Sequence, residues 1–311
     1  MSLIPGEQVV NIFLQSFRNL LLDLFFLLLS EALREIELLI LLIIIIWIVE
    51  RRTGYILALL FLFSNYINWF LKTFFGLSRP YVDFPNDITL IGPPESSYGF
   101  PSNHSQNIVS IGSFLAARFK NKWFTLLIIL LSILMPLSRL YLGVHYLSDV
   151  IGGIFFGFVI VLGYLYFEDR LEEFWDRLKP QQQIVSALLV PILLFAGAYI
   201  LFPGSFVEGK DPGLFCGALF GGILGILLET RYIKLEREGV PNRIKAVRVL
   251  IGVPIVLVTY IVLSLFKFGQ TEGLFFGIIR FCRYAVLSLV AVVVCPYIFV
   301  KLEKRFFEAE T

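Results

Sequence analysis

The sequence predicts an all-α polytopic membrane protein, with a six-helix N-terminal core and about four additional C-terminal transmembrane helices. Three observations lead there. Apolar residues make up 58% of the 311 positions and charged residues 16%, whereas a soluble domain is about half apolar and about a quarter charged. Mean hydropathy is +0.82, carried by long apolar runs. Lysine and arginine gather in alternate connections between those runs, as cytoplasmic loops require. The formal net charge of +2, without a basic stripe, gives no reason to expect a nucleic-acid partner.

The candidate spans cover residues 8–30, 35–50, 54–76, 102–119, 122–140, 144–167, 184–202, 213–229, 248–267 and 273–300. The first carries Arg18 and Asp23, so an interfacial amphipathic helix is its alternative. Arg51-Arg52 separates the second from the third, and Pro80 closes the third. Pro101-Ser102 opens the fourth, and Lys120 to Lys122 divides it from the fifth. The polar stretch 168–183 follows the sixth. Three segments result: a core over 1–170, a cytoplasmic linker over 171–183, and an extension over 184–311.

The extension reads as a duplicated hairpin. Val190-Pro191-Ile192 precedes Gly213-Leu214-Phe215, and Val253-Pro254-Ile255 precedes Gly273-Leu274-Phe275. Gly217, Gly221 and Gly225, like Gly153 and Gly157, form small-residue stripes suited to close helix packing. Cys216, Cys282 and Cys295 lie in apolar segments and read as core residues. Met1 to Gly6 has no charged start or small-residue cleavage site, so no removable signal peptide is expected.

The connections set the orientation. One set holds Arg51, Arg52, Arg118, Lys120, Lys122, Arg170, Arg177, Lys179, Arg231, Lys234, Arg237, Arg243, Lys245, Arg248, Lys301, Lys304 and Arg305. The other holds only Arg34, Lys210, Lys267 and the residues of three polar motifs. The first set is expected in the cytoplasm, and the motifs together on the opposite, non-cytoplasmic face.

Each motif suits phosphate. Lys72 and Arg79 stand seven residues apart, two helical turns, so both can serve one face at the end of the third span. Alone, such a pair is more often a positive flank. Ser102, in Pro101-Ser102-Asn103-His104, is a helix N-cap beside unpaired amides, which is an anion site by construction. His145 and Asp149 are i and i+4 on one helix face, after Ser138-Arg139. That spacing lets a carboxylate take one imidazole N–H and present the other nitrogen outward. His104 and His145 are the chain's only histidines. The acidic residues Asp83, Asp87 and Glu95 read as scattered, solvated loop positions rather than metal ligands.

Taken in order, Lys72-x6-Arg79-Pro80, Pro101-Ser102-x-His104 and Ser138-Arg139-x5-His145-x3-Asp149 resemble the type 2 phosphatidic acid phosphatase superfamily. Asn103 departs from the glycine that most members carry. Asn103 is expected to donate a side-chain hydrogen bond to the anion instead. The resemblance implies a metal-independent phosphatase acting on a membrane lipid phosphate or pyrophosphate monoester, with no cofactor. It implies His145 as nucleophile, Asp149 fixing its tautomer, and His104 as acid and then base. Lys72, Arg79, Ser102, Asn103 and Arg139 would bind phosphate. The substrates it implies are polyprenyl diphosphate, phosphatidylglycerol phosphate, phosphatidate and sphingosine phosphate. Its implied setting is the cell membrane, with a homodimer through the C-terminal helices as a further expectation. A lipid phosphotransferase, or a lipid transporter using the same site for recognition, are the alternatives.

Overall fold

The computed structural model describes residues 3–32, 35–207, 210–266 and 272–309. Arg34 and Lys267 lie outside them. The helices are α1 (Gln8–Gln15), α2 (Leu20–Ala32), α3 (Glu35–Ile48), α4 (Arg51–Phe75), α5 (Pro80–Asp83), α6 (Asn103–Phe119), α7 (Lys122–Tyr141), α8 (Leu147–Arg177), α9 (Pro180–Leu201), α10 (Gly213–Leu228), α11 (Asn242–Leu265), α12 (Gly273–Leu289) and α13 (Cys295–Ala309). The protein is an all-α polytopic membrane protein. Among the described residues, seven helical stretches are long and apolar enough to cross a membrane.

The first expected span, residues 8–30, is two short helices. Asn19 breaks it, since its Oδ1 accepts the Leu22 amide at 3.1 Å and its carbonyl accepts the Asp23 amide at 2.9 Å. Arg18 pairs with Asp23 at 2.9 Å across the same corner. Helix α6, at 17 residues, rises about 26 Å, short of the roughly 30 Å hydrocarbon thickness.

The chain divides into two compact units: Met1–Leu38 with Phe63–Arg170, and Leu39–Leu62 with Leu171–Thr311. The first centres on Phe26, Ile91, Tyr141, Leu142 and Val144. The sequence expects 1–170 to be continuous, whereas residues 39–62 pack in the second unit. The cause is one buried cluster of Trp47, Tyr55, Val256, Ala291, Cys295 and Phe299. The Trp47 indole donates to the Ala291 carbonyl at 2.8 Å. Buried Glu229 accepts from the Tyr55 hydroxyl at 2.5 Å and from Arg237 at 3.3 Å.

The stretch 171–183 is not an extended linker. Helix α8 continues through it to Arg177, helped by the Glu173–Arg177 pair at 2.9 Å. Pro180 then occupies the first turn of α9, where a missing N–H costs nothing. The expected hairpins are present as α9–α10 and α11–α12. Helices α10 and α12 meet at backbone contact: a Cβ on Gly217 would lie 2.1 Å from the Phe281 carbonyl oxygen, and one on Gly221 2.1 Å from that of Ala285.

Candidate active site

Helices α4 and α6 carry the first half of the site. A polar face on α4, formed by Ser64, Asn65, Asn68 and Lys72, is buried against Gln106, Asn107 and Ser110 of α6. Asn68 Nδ2 donates to Gln106 Oε1 at 2.9 Å, and Gln106 Nε2 donates to the Ser64 carbonyl at 2.7 Å. Asn107 Nδ2 donates to Asn65 Oδ1 at 3.2 Å. Buried amides in such a setting need partners, and each of these has one. Sequence reasoning passed over this ladder, although polar residues at helical spacing inside apolar spans are its signal.

Ser102 caps α6. Its Oγ accepts the Ser105 amide at 3.5 Å, and its own amide donates to the Asp149 carbonyl at 2.8 Å. Thus the backbone itself ties the start of α6 to the start of α8. Asn103 Nδ2 donates to Asn65 Oδ1 at 2.9 Å, at the end of the ladder.

Lys72 and Arg79 do not share one helix. Helix α4 ends at Phe75, and Arg79 sits in extended conformation (φ −108°, ψ 155°) just before Pro80, as a residue preceding proline prefers. Both side chains are nevertheless buried and converge on the segment 97–99. Lys72 Nζ donates to the carbonyls of Tyr98 (2.5 Å) and Gly99 (3.0 Å). Arg79 donates to the carbonyls of Ser97 (2.8 Å), Tyr98 (3.1 Å) and Val144 (2.9 Å).

The second half of the site is the turn between α7 and α8. The Val144 and His145 amides both donate to the Arg139 carbonyl, at 3.2 and 3.3 Å. Gly143 permits the turn, with φ +75°. Because α8 starts at Leu147, His145 stands in the turn itself. Its Nδ1 lies 3.2 Å from Asp149 Oδ2, which also accepts the Tyr146 amide at 2.9 Å. Its Nε2 lies 3.2 Å from Arg79 Nη1. A guanidinium only donates. Nε2 must therefore carry the lone pair, and the proton sits on Nδ1 toward Asp149. Burial, then Arg79, Lys72, Arg139 and His104, hold the imidazole well below its ordinary pKa and keep it neutral.

Arg139, in the last turn of α7, pairs with Glu95 at 2.5 Å and donates to the Ser30 hydroxyl. Ser30 was not singled out from sequence, and Glu95 is not the solvated loop residue expected. Burial pushes the Glu95 carboxyl up. Arg139, Arg79, His104 and Lys72 together outweigh that and bring it down to about 2. One carboxylate thus sits within the field of the cations and the histidine that the motifs supply. Asp83 is also engaged, accepting from Ser78 at 2.6 Å and Tyr146 at 2.9 Å. A dianionic phosphoryl group bound beside Arg139 would have to share it with Glu95. Glu95→Gln should then lower the vanadate concentration for half-inhibition several-fold at pH 7, where the wild-type carboxyl is ionised. Equal vanadate sensitivity of the two proteins at pH 7 would remove Glu95 from the anion field.

The chain has recognisable relatives. Residues 53–173 match the family model described as PAP2 superfamily, and residues 213–306 match that for the transmembrane extension of PAP2 superfamily phosphatases. A lipid A 4'-phosphatase of Porphyromonas gingivalis is 37% identical over 94 residues, 29% of this chain and 40% of that protein. An undecaprenyl-diphosphatase of Sulfolobus acidocaldarius is 33% identical over 33% of this chain and 49% of that protein. Phosphatidylglycerophosphatase B of Bacillus subtilis is 30% identical over 41% of this chain and 64% of that protein. The chain thus spans about 40% to 64% of the length of these relatives. A crystal structure of a transmembrane PAP2-type phosphatidylglycerolphosphate phosphatase from Bacillus subtilis aligns with a TM-score of 0.45 at 23% identity, covering 53% of this chain and 85% of that one. With both of its halves matched by models of this one group, the chain belongs to the PAP2 superfamily.

Proposed function

We propose that this chain is a membrane lipid phosphatase. It hydrolyses a lipid phosphate or pyrophosphate monoester through a phosphohistidine, on the non-cytoplasmic face of the cell membrane. One observation carries the reading: His145 is held neutral by burial and by its cationic neighbours, with Nδ1–H on Asp149 and its Nε2 lone pair directed at a guanidinium. This arrangement supports reading His145 as nucleophile, Asp149 as its orienter and Arg79 as its anion-binding partner. The names of the relatives, a lipid A phosphatase, an undecaprenyl-diphosphatase and a phosphatidylglycerophosphatase, point to the same chemistry.

In the proposed reaction Nε2 attacks phosphorus and the bond to the leaving oxygen breaks. His104 supplies a proton to that oxygen. Water, deprotonated by His104, then attacks the phosphohistidine and returns Nε2 to its lone-pair state. Lys72, Arg79 and Arg139 balance the charge on the equatorial oxygens, while Ser102 and the first amides of α6 add donors. Substrates in this reading are polyprenyl diphosphate, phosphatidylglycerol phosphate, phosphatidate and sphingosine phosphate.

A panel of these lipids, assayed with purified protein, tests the reading. Turnover should resist chelators, be inhibited by vanadate and fall by at least about 10³-fold in His145→Ala. Wild-type rates in that variant would refute it. The acid limb of kcat/KM should lie below the ordinary histidine value of 6.5, because the neutral imidazole persists to lower pH. Oxygen-18 from water should appear in the released phosphate; its absence would favour phosphoryl transfer to another acceptor.

A further inference from the structure

The short helix α1 offers an unassigned set of contacts to the turn that carries His145. Glu7, Asn11 and Gln15 follow one another at intervals of four residues, so they form one stripe on one face. The opposite face, with Val9, Ile12 and Phe13, is exposed and apolar. Asn11 is fully buried, and its Nδ2 donates to two carbonyls: Leu140 at 2.8 Å and His145 at 3.0 Å. Gln15 Nε2 donates to the carbonyls of Tyr141 (2.9 Å) and Thr89 (2.8 Å), and its Oε1 accepts the Thr89 amide at 3.0 Å. The Glu7 carboxylate accepts the Ser148 amide at 2.8 Å and the Ser148 hydroxyl at 2.9 Å. It therefore meets the first turn of α8, which holds Ser148 and Asp149, where an anion is favourable.

These bonds cover the turn from end to end. Leu140 and Tyr141 lie before Gly143, and His145 and Ser148 lie after it. The Tyr141 and His145 carbonyls fall where helical partners run out, because α7 ends at Tyr141 and α8 starts at Leu147, while the Leu140 carbonyl also accepts the Gly143 amide at 3.1 Å. Side chains from a remote segment satisfy them. The backbone of the nucleophile is thereby held by α1, while Arg79 and Asp149 hold its ring.

We infer that α1 is a positioning element for the reaction, with Glu7, Asn11 and Gln15 setting the place of the His145 turn. None of the three touches substrate; they act through the backbone of residues 140–148. The inference rests on His145 being the nucleophile. A small error there is costly, since a displacement of about 1 Å at a reacting atom can cost about 10²-fold in rate.

Asn11→Asp is the decisive change. It keeps the side-chain shape but removes both donors and sets a negative charge against two carbonyls. Hydrogen–deuterium exchange is measured on the full-length protein in phosphatidylethanolamine–phosphatidylglycerol vesicles. Exchange of residues 140–148 should quicken at least about tenfold, while residues 64–72 on α4 keep their wild-type rate. With farnesyl diphosphate as substrate, kcat should fall at least about tenfold and KM should stay within about threefold. If Asn11→Asp does not fold, Gln15→Glu removes the donors to Tyr141 and Thr89 from a more exposed position and should give the same pattern. Unchanged exchange over 140–148 in the folded variant overturns the inference. His145→Ala, assayed beside it, separates the two ideas. Full turnover in His145→Ala sinks the nucleophile assignment, whereas an inactive His145→Ala with normal kcat in Asn11→Asp sinks the positioning role alone.

Discussion

Asp149→Asn should lower kcat by about 10³- to 10⁴-fold and leave KM within about threefold, on the scale seen when an orienting carboxylate is neutralised in a nucleophile–histidine–carboxylate site. The carboxylate does two things in the structure. Its Oδ2 accepts the Tyr146 amide at 2.9 Å and faces His145 Nδ1 at 3.2 Å. An amide in that place balances no positive charge when Nε2 becomes bonded to phosphorus. If its NH₂ faces the ring, the imidazole proton moves to Nε2. That proton would then meet Arg79 Nη1, 3.2 Å away, donor against donor. The Ser102–Asp149 contact runs through the backbone carbonyl and survives the change. Thermal unfolding should therefore shift far less than activity. A variant retaining more than about a tenth of wild-type kcat would show that Asp149 does not set the tautomer.

Gly153→Ala is the second large effect, and it acts without removing any polar side chain of the site. A Cβ there would lie 2.4 Å from the Ser102 carbonyl oxygen and 3.0 Å from Ser105 Cβ. The first of these is backbone at the cap of α6, so no side-chain rotation relieves it. Overpacking of this kind costs about 1–3 kcal/mol. More telling is the direction of the forced movement: α8, which bears Asp149, separates from α6, which bears Ser102 and His104. Activity should fall by about 10²-fold in protein that still folds. Gly163→Ala is the control, since a Cβ there meets nothing within 4 Å. Equal activity of the two variants would rule out close helix approach as the device that assembles the site.

Much of this was legible in the chain, for identifiable reasons. The histidine–aspartate pair was readable from its four-residue spacing, although His145 reaches Asp149 from the turn before α8 rather than from a shared helix face. The capping role of Ser102 was readable because N-caps are local. The packing role of Gly153 and Gly157 followed from their spacing. Arg79 was misplaced because the proline after it, which ends the helix, also extends the residue before it. Ser30 was missed, and Glu95 was read as solvated loop, because their partner, Arg139, is distant in sequence. The span expected over 8–30 failed because its polar residues serve a face rather than interrupt a hydrophobic rod. The second unit's claim on residues 39–62 depends on Trp47 and Tyr55 meeting residues nearly two hundred or more positions away. Periodicity cannot show such a contact.

The amide ladder between α4 and α6 has a consequence for substrate choice. With Asn68, Gln106, Ser64, Asn65 and Asn107 bonded to one another, the two helices behave as one jaw of fixed gauge. Lys72 lies on α4 and Ser102 caps α6, whereas residues 95–99 are irregular backbone bonded by Arg79, Lys72 and Arg139. Under the proposed function, adaptation to one phosphate or two would come from that irregular segment. Changes in 95–99 should retune which headgroups enter, while changes in the ladder should degrade all of them alike.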